Sequence, residues 1–131
     1  MASILIAEDE ESLRVLVARA LAMQGHDVVA TCDGAEALEA LVRDGGRFDL
    51  LLTDIRMPVM DGIALALAVS RDYPALPIIL MTGYADQRER ASNLEALIHD
   101  VVSKPFTLDQ IRAIVKDALT ANSADSKSLV L

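Results

Sequence analysis

Five short apolar runs alternate along this chain with five longer segments in which apolar residues recur at helical spacing. The runs predict strands over residues 4–7, 28–31, 50–53, 78–81 and 101–103. They are apolar almost throughout, which is typical of a parallel sheet covered by helices on both faces. With right-handed crossovers, the alternation predicts an open α/β domain, a doubly wound parallel five-stranded sheet.

Helix ends are marked by glycine and by a capping pattern. Gly25 is predicted to end the first helix in a left-handed conformation, and Gly45-Gly46 to end the second. Thr107 and Gln110 form a capping box at the start of the fifth helix. The fourth helix is predicted over residues 86–97. The expected apolar stripes are Leu13, Leu16, Val17, Ala20 and Leu21 in the first helix, Ala37, Leu38, Leu41 and Val42 in the second, and Ile111, Ile114, Val115, Ala118 and Leu119 in the fifth.

The chain length of 131 residues fits one domain with a substantial core. Neither a repeat nor a linker interrupts residues 1–121, which we therefore take as a single domain. Residues 122–131 are rich in serine and have no periodicity, so we expect them to form a disordered tail.

Composition excludes several classes of function. The formal net charge of −8 disfavours direct binding to nucleic acid or to anionic membranes. Aromatic residues make up only 3% of the chain, which argues against a surface for stacking bases. The single cysteine, Cys32, excludes an internal disulfide, and we expect it to be packed and inert. The chain has neither a long apolar span nor a basic leader, so we expect a cytoplasmic protein.

Polar residues follow four of the five predicted strands. Glu8 and Asp9 follow the first strand, Asp54 the third, Thr82 the fourth and Lys104 the fifth. The carboxyl ends of parallel strands meet at one edge, where such folds form their ligand crevice. In the flavodoxin-like (βα)5 strand order 2-1-3-4-5, these four strands are neighbours. We therefore expect the acids, the hydroxyl and the ammonium to converge.

Carboxylates that converge on one point repel one another unless a cation relieves them. Mg²⁺ prefers oxygen ligands and keeps several waters, so Asp9 and Asp54 could bind it directly and Glu8 directly or through water. Asp54 is then the natural nucleophile for a phosphoryl group, since carboxylates form acyl phosphates. Lys104 would neutralise the charge that develops in such a transfer.

Four motifs resemble the receiver domain of two-component response regulators, over about residues 3 to 121. Each motif alone is weak, but the four in this order, at these spacings and on predicted strand ends, are highly specific. They are residues 4–10 (ILIAEDE), 53–62 (TDIRMPVMDG), 81–83 (MTG) and 103–106 (SKPF).

The resemblance implies that Asp54 accepts a phosphoryl group from the phosphohistidine of a sensor histidine kinase or a histidine phosphotransferase. It also implies Mg²⁺ bound by Asp9, Asp54 and the backbone carbonyl of Arg56, with Glu8 in the acidic pair and often acting through water. Such a domain is a signalling phosphoacceptor that catalyses only its own phosphorylation and dephosphorylation.

The resemblance assigns the switch as well. Thr82 would turn inward to the phosphoryl oxygen, and Lys104 would form an ion pair with it. Arg56 and Tyr84 would flank the pocket, and the Lys104-Pro105 bond would be cis. A docking surface formed by the fourth helix, fifth strand and fifth helix would change shape in response.

Two residues depart from the family's pattern. The acidic pair is Glu8-Asp9, where a double aspartate is commoner. Val101 stands three residues before Lys104, where receivers often carry a Tyr or Phe that swings inward with the threonine. We therefore expect Thr82 and the loop over residues 82–86 to carry the signal.

The sequence continues into no output domain after the fifth helix, so we expect a stand-alone receiver that docks to a partner protein. The residues Met81-Thr82-Gly83-Tyr84-Ala85 and the lack of an effector are similar to the CpdR-type regulators of alphaproteobacteria. That likeness implies control of regulated proteolysis by ClpXP in the cell cycle.

Three other functions remain as alternatives. A haloacid-dehalogenase-like aspartyl phosphatase needs a second acid where this chain has Arg56. A flavodoxin-like cofactor carrier needs a phosphate-cradling loop where the chain has the acidic residues 8–11. A binding scaffold that is never phosphorylated would not need the complete set of site residues.

Overall fold

The computed structural model describes residues 2–83 and 85–130, with side chains described except at 85, 86 and 122–130. Five parallel strands form one sheet in the order β2-β1-β3-β4-β5, so the predicted flavodoxin-like fold is confirmed. The strands are β1 (Ser3–Ala7), β2 (Asp27–Thr31), β3 (Leu50–Asp54), β4 (Ile78–Thr82) and β5 (Asp100–Ser103).

One helix follows each strand, and the predicted signals at the helix ends hold. Gly25 has a φ of 91°, and Gly45 and Gly46 also have positive φ, which glycine adopts without steric cost. In the capping box, the Gln110 N–H donates to Thr107 Oγ1 at 3.1 Å and the Thr107 N–H donates to Gln110 Oε1 at 2.7 Å. The helices are α1 (Glu11–Ala22), α2 (Gly34–Arg43), α3 (Gly62–Asp72), α4 (Ala85–Ser92) and α5 (Leu108–Val130).

The sheet separates two hydrophobic cores, because successive side chains of a strand point to opposite faces. On one face, Leu5 and Leu51 pack with residues of α2 and α3. On the other face, Ile6 and Leu52 pack with residues of α1 and α5. Every residue of the central strands β3 and β4 is buried, as expected for strands covered on both faces. These cores fix the strand ends that carry the polar residues.

Three predicted helical features need correction. Helix α4 ends at Ser92 rather than near Leu97, and the chain continues in tight turns in which Leu94 N–H donates to Ala91 O at 2.9 Å. Serine and asparagine at positions 92 and 93 are poor helix formers, which accounts for the early end. Leu16 and Val42, assigned to buried stripes, are 49% and 66% exposed, because the face of each helix that meets the sheet is narrower than its apolar stripe.

Helix α5 continues through Val130, beyond its buried residues Ile111, Val115 and Ala118. The sequence predicted that the regular structure would end near residue 121. Since the side chains of 122–131 lie outside the described set, the division into a domain over 1–121 and a disordered tail stays a prediction. Among the described residues, no helix is both long and apolar enough to cross a bilayer.

Candidate functional site

A cavity of about 560 Å³ opens at the carboxyl edge of the sheet. It lies between the ends of β1, β3, β4 and β5, as the strand order requires. Its walls combine acids, one lysine and a few apolar groups. They are formed by Glu8, Asp9, Glu10, Leu13, Asp54, Arg56, Gly83, Gln87, Lys104, Pro105 and Phe106.

Lys104 joins two buried carboxylates in this cavity. Its Nζ lies 2.8 Å from Glu8 Oε1 and 3.2 Å from Asp54 Oδ1. The Glu8 and Asp54 side chains are only 1% and 7% exposed, so each needs a partner to remain ionised. The predicted convergence of strand ends is therefore present, with Glu8 as the nearer acid to the ammonium.

Burial alters the protonation of both acids. Burial raises the pKa of Glu8 to about 7, and the Asp54 charge adds to this, while the Lys104 hydrogen bond opposes it. Burial also raises the pKa of Asp54 above its usual value, although the hydrogen bond with Glu8 and the attraction of Lys104 both act to lower it. Burial alone would lower the pKa of Lys104, but the hydrogen bond to Glu8 and the nearby charges leave it raised. The lysine therefore stays charged while the two acids compete for it.

Asp9 completes an acidic group that suits a hard cation. Oxygen atoms of Glu8, Asp9 and Asp54 lie within 4.8 Å of one another, and Asp9 is exposed at the cavity mouth. Carboxylate oxygens at this spacing match the ligands that Mg²⁺ prefers. The two buried acids share one lysine, so a further positive charge at this point relieves their repulsion. The residues present therefore fit a magnesium ion.

The loop after β3 is held by its backbone. The Ile55 N–H donates to Asp54 Oδ1 at 2.9 Å, and the Gly62 N–H donates to Ile55 O at 2.8 Å. A Cβ on Gly62 would overlap the Asp54 carbonyl, so only glycine allows this approach. The loop therefore fixes the position of the Asp54 carboxylate.

Thr82, at the end of β4, is fully buried, and its Oγ1 has no hydrogen-bond partner among the described residues. In the sheet register Asp54 pairs with Met81, so Thr82 is the next residue along β4. Buried hydroxyls are usually hydrogen-bonded. This side chain can therefore accept a new partner that appears beside Asp54.

The other predicted site residues occupy varied positions. Arg56 is exposed and lines the cavity, while Tyr84 lies outside the described residues. The Lys104-Pro105 bond is cis, as predicted. Val101 is half-buried on β5 and packs against the core on the α2–α3 face. Cys32, expected to be inert packing, is only partly buried, and its Sγ donates to Glu36 Oε2 at 2.9 Å.

Sequence reasoning did not single out Gln87. This side chain lies in α4, is 3% exposed and reaches the cavity wall. No motif marks it, because a glutamine in a polar helix is typical of an exposed face. Its position follows only from how α4 packs on β4.

The chain from residue 4 to residue 116 matches the model of the response regulator receiver domain. This protein belongs to the response regulator receiver domain family. Domains of this family are signalling phosphoacceptors in two-component systems. Sensor histidine kinases phosphorylate them, and they generally bind Mg²⁺ at an acidic pocket.

Several relatives share this domain within longer proteins. The DNA-binding transcriptional regulator NtrC of Escherichia coli is 38% identical over 115 residues, which cover 88% of this chain and 24% of NtrC. The sensor kinase CckA of Brucella abortus is 36% identical over 119 residues, 90% of this chain and 12% of CckA. The crystal structure of NtrX from Brucella abortus aligns with a TM-score of 0.87 and 28% identity, over 97% of this chain and 28% of that one. The chain thus spans less than a third of the length of each of these proteins.

Proposed function

We propose that Asp54 of this receiver domain accepts a phosphoryl group from a phosphohistidine and that the product switches a protein-docking surface. One observation carries the proposal: the buried Asp54 carboxylate lies 3.2 Å from the Lys104 ammonium, beside two further acids, at an open cavity. This constellation suits an anionic nucleophile that must meet a phosphorus atom and a developing negative charge.

In the transfer, an Asp54 oxygen forms a bond to phosphorus as the bond from phosphorus to the histidine nitrogen breaks. The electron pair of that bond stays on the imidazole, which takes a proton from solvent. The product is an acyl phosphate on Asp54 and a neutral histidine on the donor. The loop from Ile55 to Gly62 holds the carboxylate for this approach.

Each neighbouring residue has a proposed part. Lys104 neutralises charge on the transferring oxygens, and Glu8 holds Lys104 in place at 2.8 Å until the phosphoryl group arrives. Asp9, Asp54, Glu8 and the Arg56 carbonyl would hold Mg²⁺, which supplies charge neutralisation for the phosphoryl oxygens. Arg56 and Tyr84 would flank the entering donor.

Thr82 is the proposed switch residue. Its buried Oγ1 has no partner among the described residues, and a phosphoryl oxygen beside Asp54 would provide one. Movement of Thr82 would shift the balance between two shapes of the surface formed by α4, β5 and α5. Val101 has no aromatic ring that could swing inward, so the signal would pass through β4 and α4.

Phosphorylation with acetyl phosphate and Mg²⁺, followed by intact-mass spectrometry, tests the proposal. We expect the wild-type protein to gain one phosphoryl group and Asp54→Asn to gain none. Glu39→Gln, which removes an exposed acid on α2, is the matched control and should be labelled like wild type.

Equal labelling of Asp54→Asn and wild type would assign the phosphoryl group to another residue. Multiple turnover of added phosphate esters would instead favour the aspartyl phosphatase alternative. Partner binding that is identical before and after labelling would favour a scaffold.

For the pathway, we propose a phosphorelay that ends in docking to a protein, with ClpXP-dependent proteolysis as the candidate process. The likeness to CpdR-type regulators supports this choice, as does the match of this domain to part of a sensor kinase. Recovery of ClpXP components from the protein's own cell extract by one phosphorylation state and not by the other would support it. Capture of unrelated proteins alone would overturn it.

A further inference from the structure

Gln87 is a buried polar side chain that the proposed transfer does not use. It lies in α4, is 3% exposed, and lines the same cavity as Asp54 and Lys104. Glutamine is mostly exposed in proteins, and a buried amide normally has a hydrogen-bond partner. Its partner therefore indicates why it is turned toward the cavity.

The partner is the backbone of Gly83, whose N–H donates to Gln87 Oε1 at 2.7 Å. Gly83 follows β4 and lines the cavity. In the sheet register, it lies two residues beyond Met81, the residue paired with Asp54. A Cβ on Gly83 would lie 4.0 Å from Lys104 Cδ, which places this backbone beside the stem of the lysine. The N–H that Gln87 occupies thus belongs to the wall next to the acceptor carboxylate.

We infer that Gln87 is a positioning residue that couples the state of Asp54 to helix α4. In the unphosphorylated protein, the Gly83 N–H donates a hydrogen bond to Gln87 Oε1. After phosphorylation, the same N–H donates to a phosphoryl oxygen on Asp54 instead. This inference rests on the proposed function, since it needs a phosphoryl group at Asp54. A phosphoryl group brings three acceptor oxygens and about two negative charges. Charge-assisted hydrogen bonds are about twice as strong as neutral ones, so the exchange favours the phosphoryl oxygen.

Loss of this bond acts on the first turns of α4. A buried amide oxygen without a partner is unfavourable, so the Gln87 side chain must move toward water or toward a new donor. Little else holds α4 in place: within its described side chains, Gln87 and Ala91 are the buried residues. Its ion pair between Arg90 Nη2 and Asp61 Oδ2, at 3.0 Å, is partly exposed and contributes little. Helix α4 therefore has few contacts besides that of Ala91 to resist a shift when Gln87 is displaced.

Coupling through Gln87 is also consistent with the presence of Val101 on the neighbouring strand β5. Val101 cannot move as an aromatic ring would, so β5 offers no large side chain to relay the change. Gln87 links the cavity to α4 directly, through one hydrogen bond from the end of β4.

NMR titration of the full chain with beryllium fluoride and Mg²⁺ tests the inference, because beryllium fluoride mimics a phosphoryl group on a carboxylate. We expect the Gly83 backbone amide, the Gln87 side-chain amide and the α4 amides to shift with one midpoint. Gln87→Leu removes the competing acceptor, so the affinity for beryllium fluoride should rise about threefold to tenfold, and the shifts in α4 should shrink. Gln87→Glu keeps the acceptor and adds negative charge, so the affinity should fall.

Arg88→Gln is the matched control, since it changes the charge of exposed α4 by the same amount as Gln87→Glu. It should bind beryllium fluoride like wild type. A merely structural role for Gln87 would weaken binding in both of its variants, together with their melting temperatures, and that result would overturn the inference. If Gln87→Leu does not fold, the titration of the wild-type protein still tests the inference through the chemical shift of the Gly83 amide.

If the chemical shift of the Gly83 amide stays unchanged while the wild-type protein binds beryllium fluoride normally, the coupling is overturned and the proposed function stays intact. Wild-type protein that responds no more than Asp54→Asn would instead refute the proposed function, and the coupling with it.

Discussion

Glu8 is the residue whose protonation depends most clearly on its surroundings. Its side chain is 1% exposed, and burial raises its pKa to about 7 although Lys104 lies 2.8 Å away. An aspartate at this position would be one methylene shorter. The glutamate can therefore turn back to the ammonium while Asp9 remains at the mouth of the cavity. The variant acidic pair thus gives its two members different environments.

The pH dependence of stability should report this environment. The native protein binds the Glu8 proton more tightly than the unfolded chain does, because the pKa of Glu8 is near 4.5 in the unfolded chain. Between pH 4.5 and 7 the native state holds more protons, so its stability falls as pH rises, and the contribution levels off above about pH 7. The slope for one proton is at most about 1.4 kcal/mol per pH unit.

Glu8→Gln removes this titration. In EDTA, we expect the free energy of unfolding of Glu8→Gln relative to wild type to increase between pH 5 and pH 8, as measured by urea denaturation. Glu11→Gln, at an exposed acid on α1, is the control and should show no such trend. A constant difference between wild type and Glu8→Gln across this range would contradict the raised pKa.

At the scale of elements, the β3–α3 loop depends on one close approach. Gly62 begins α3, and a Cβ at this position would overlap the Asp54 carbonyl. Asp61, the preceding residue, caps α3 by accepting from the Ala64 N–H at 2.9 Å. The loop therefore ties the start of α3 to the end of β3, and so to the Asp54 carboxylate.

Gly62→Ala should lower both the stability of the protein and its rate of phosphorylation. The added methyl meets backbone rather than a flexible side chain, so we expect a loss of about 1–3 kcal/mol in thermal or urea unfolding. Displacement of Asp54 should also slow labelling by acetyl phosphate. Gly25→Ala is an informative comparison, because its φ of 91° strains alanine while no atom lies within 4 Å of the added group. It should lose stability but keep its labelling rate, and equal labelling defects in both variants would argue against a local effect.

At the scale of the whole molecule, a bound cation should act on global stability, since its ligands come from the ends of β1 and β3. A ligand that binds only the native state stabilises it in proportion to the logarithm of its concentration. At about ten times the dissociation constant, Mg²⁺ should add about 1.4 kcal/mol to the free energy of unfolding. Calorimetry with and without Mg²⁺ measures this gain.

Asp9→Asn should lose most of that gain while folding normally, because Asp9 is exposed. Asp49 is an acid near the opposite edge of the sheet, so Asp49→Asn should keep the stabilisation by Mg²⁺. Equal stabilisation of Asp9→Asn and wild type by Mg²⁺ would remove Asp9 from the metal site.

Much of this molecule was predictable from sequence because two signals were strong. Apolar runs located the strands, and the strand order brought Asp54, Lys104 and the acidic pair to one edge. The pairing of Lys104 with Glu8 was not predictable, since it depends on side-chain length and distance within the cavity. Gln87 was missed for a related reason: its burial comes from the docking of a short polar helix, which leaves no periodic pattern. The early end of α4 depended on weak local preferences at residues 92 and 93.

The unpartnered hydroxyl of Thr82 has an energetic consequence for the resting molecule. Among the described residues this buried oxygen has no donor or acceptor within hydrogen-bond distance, and an unsatisfied buried hydroxyl costs about 1–3 kcal/mol. An incoming group that formed a hydrogen bond with Thr82 would recover this cost. Part of the free energy for the proposed switch would then be present before phosphorylation.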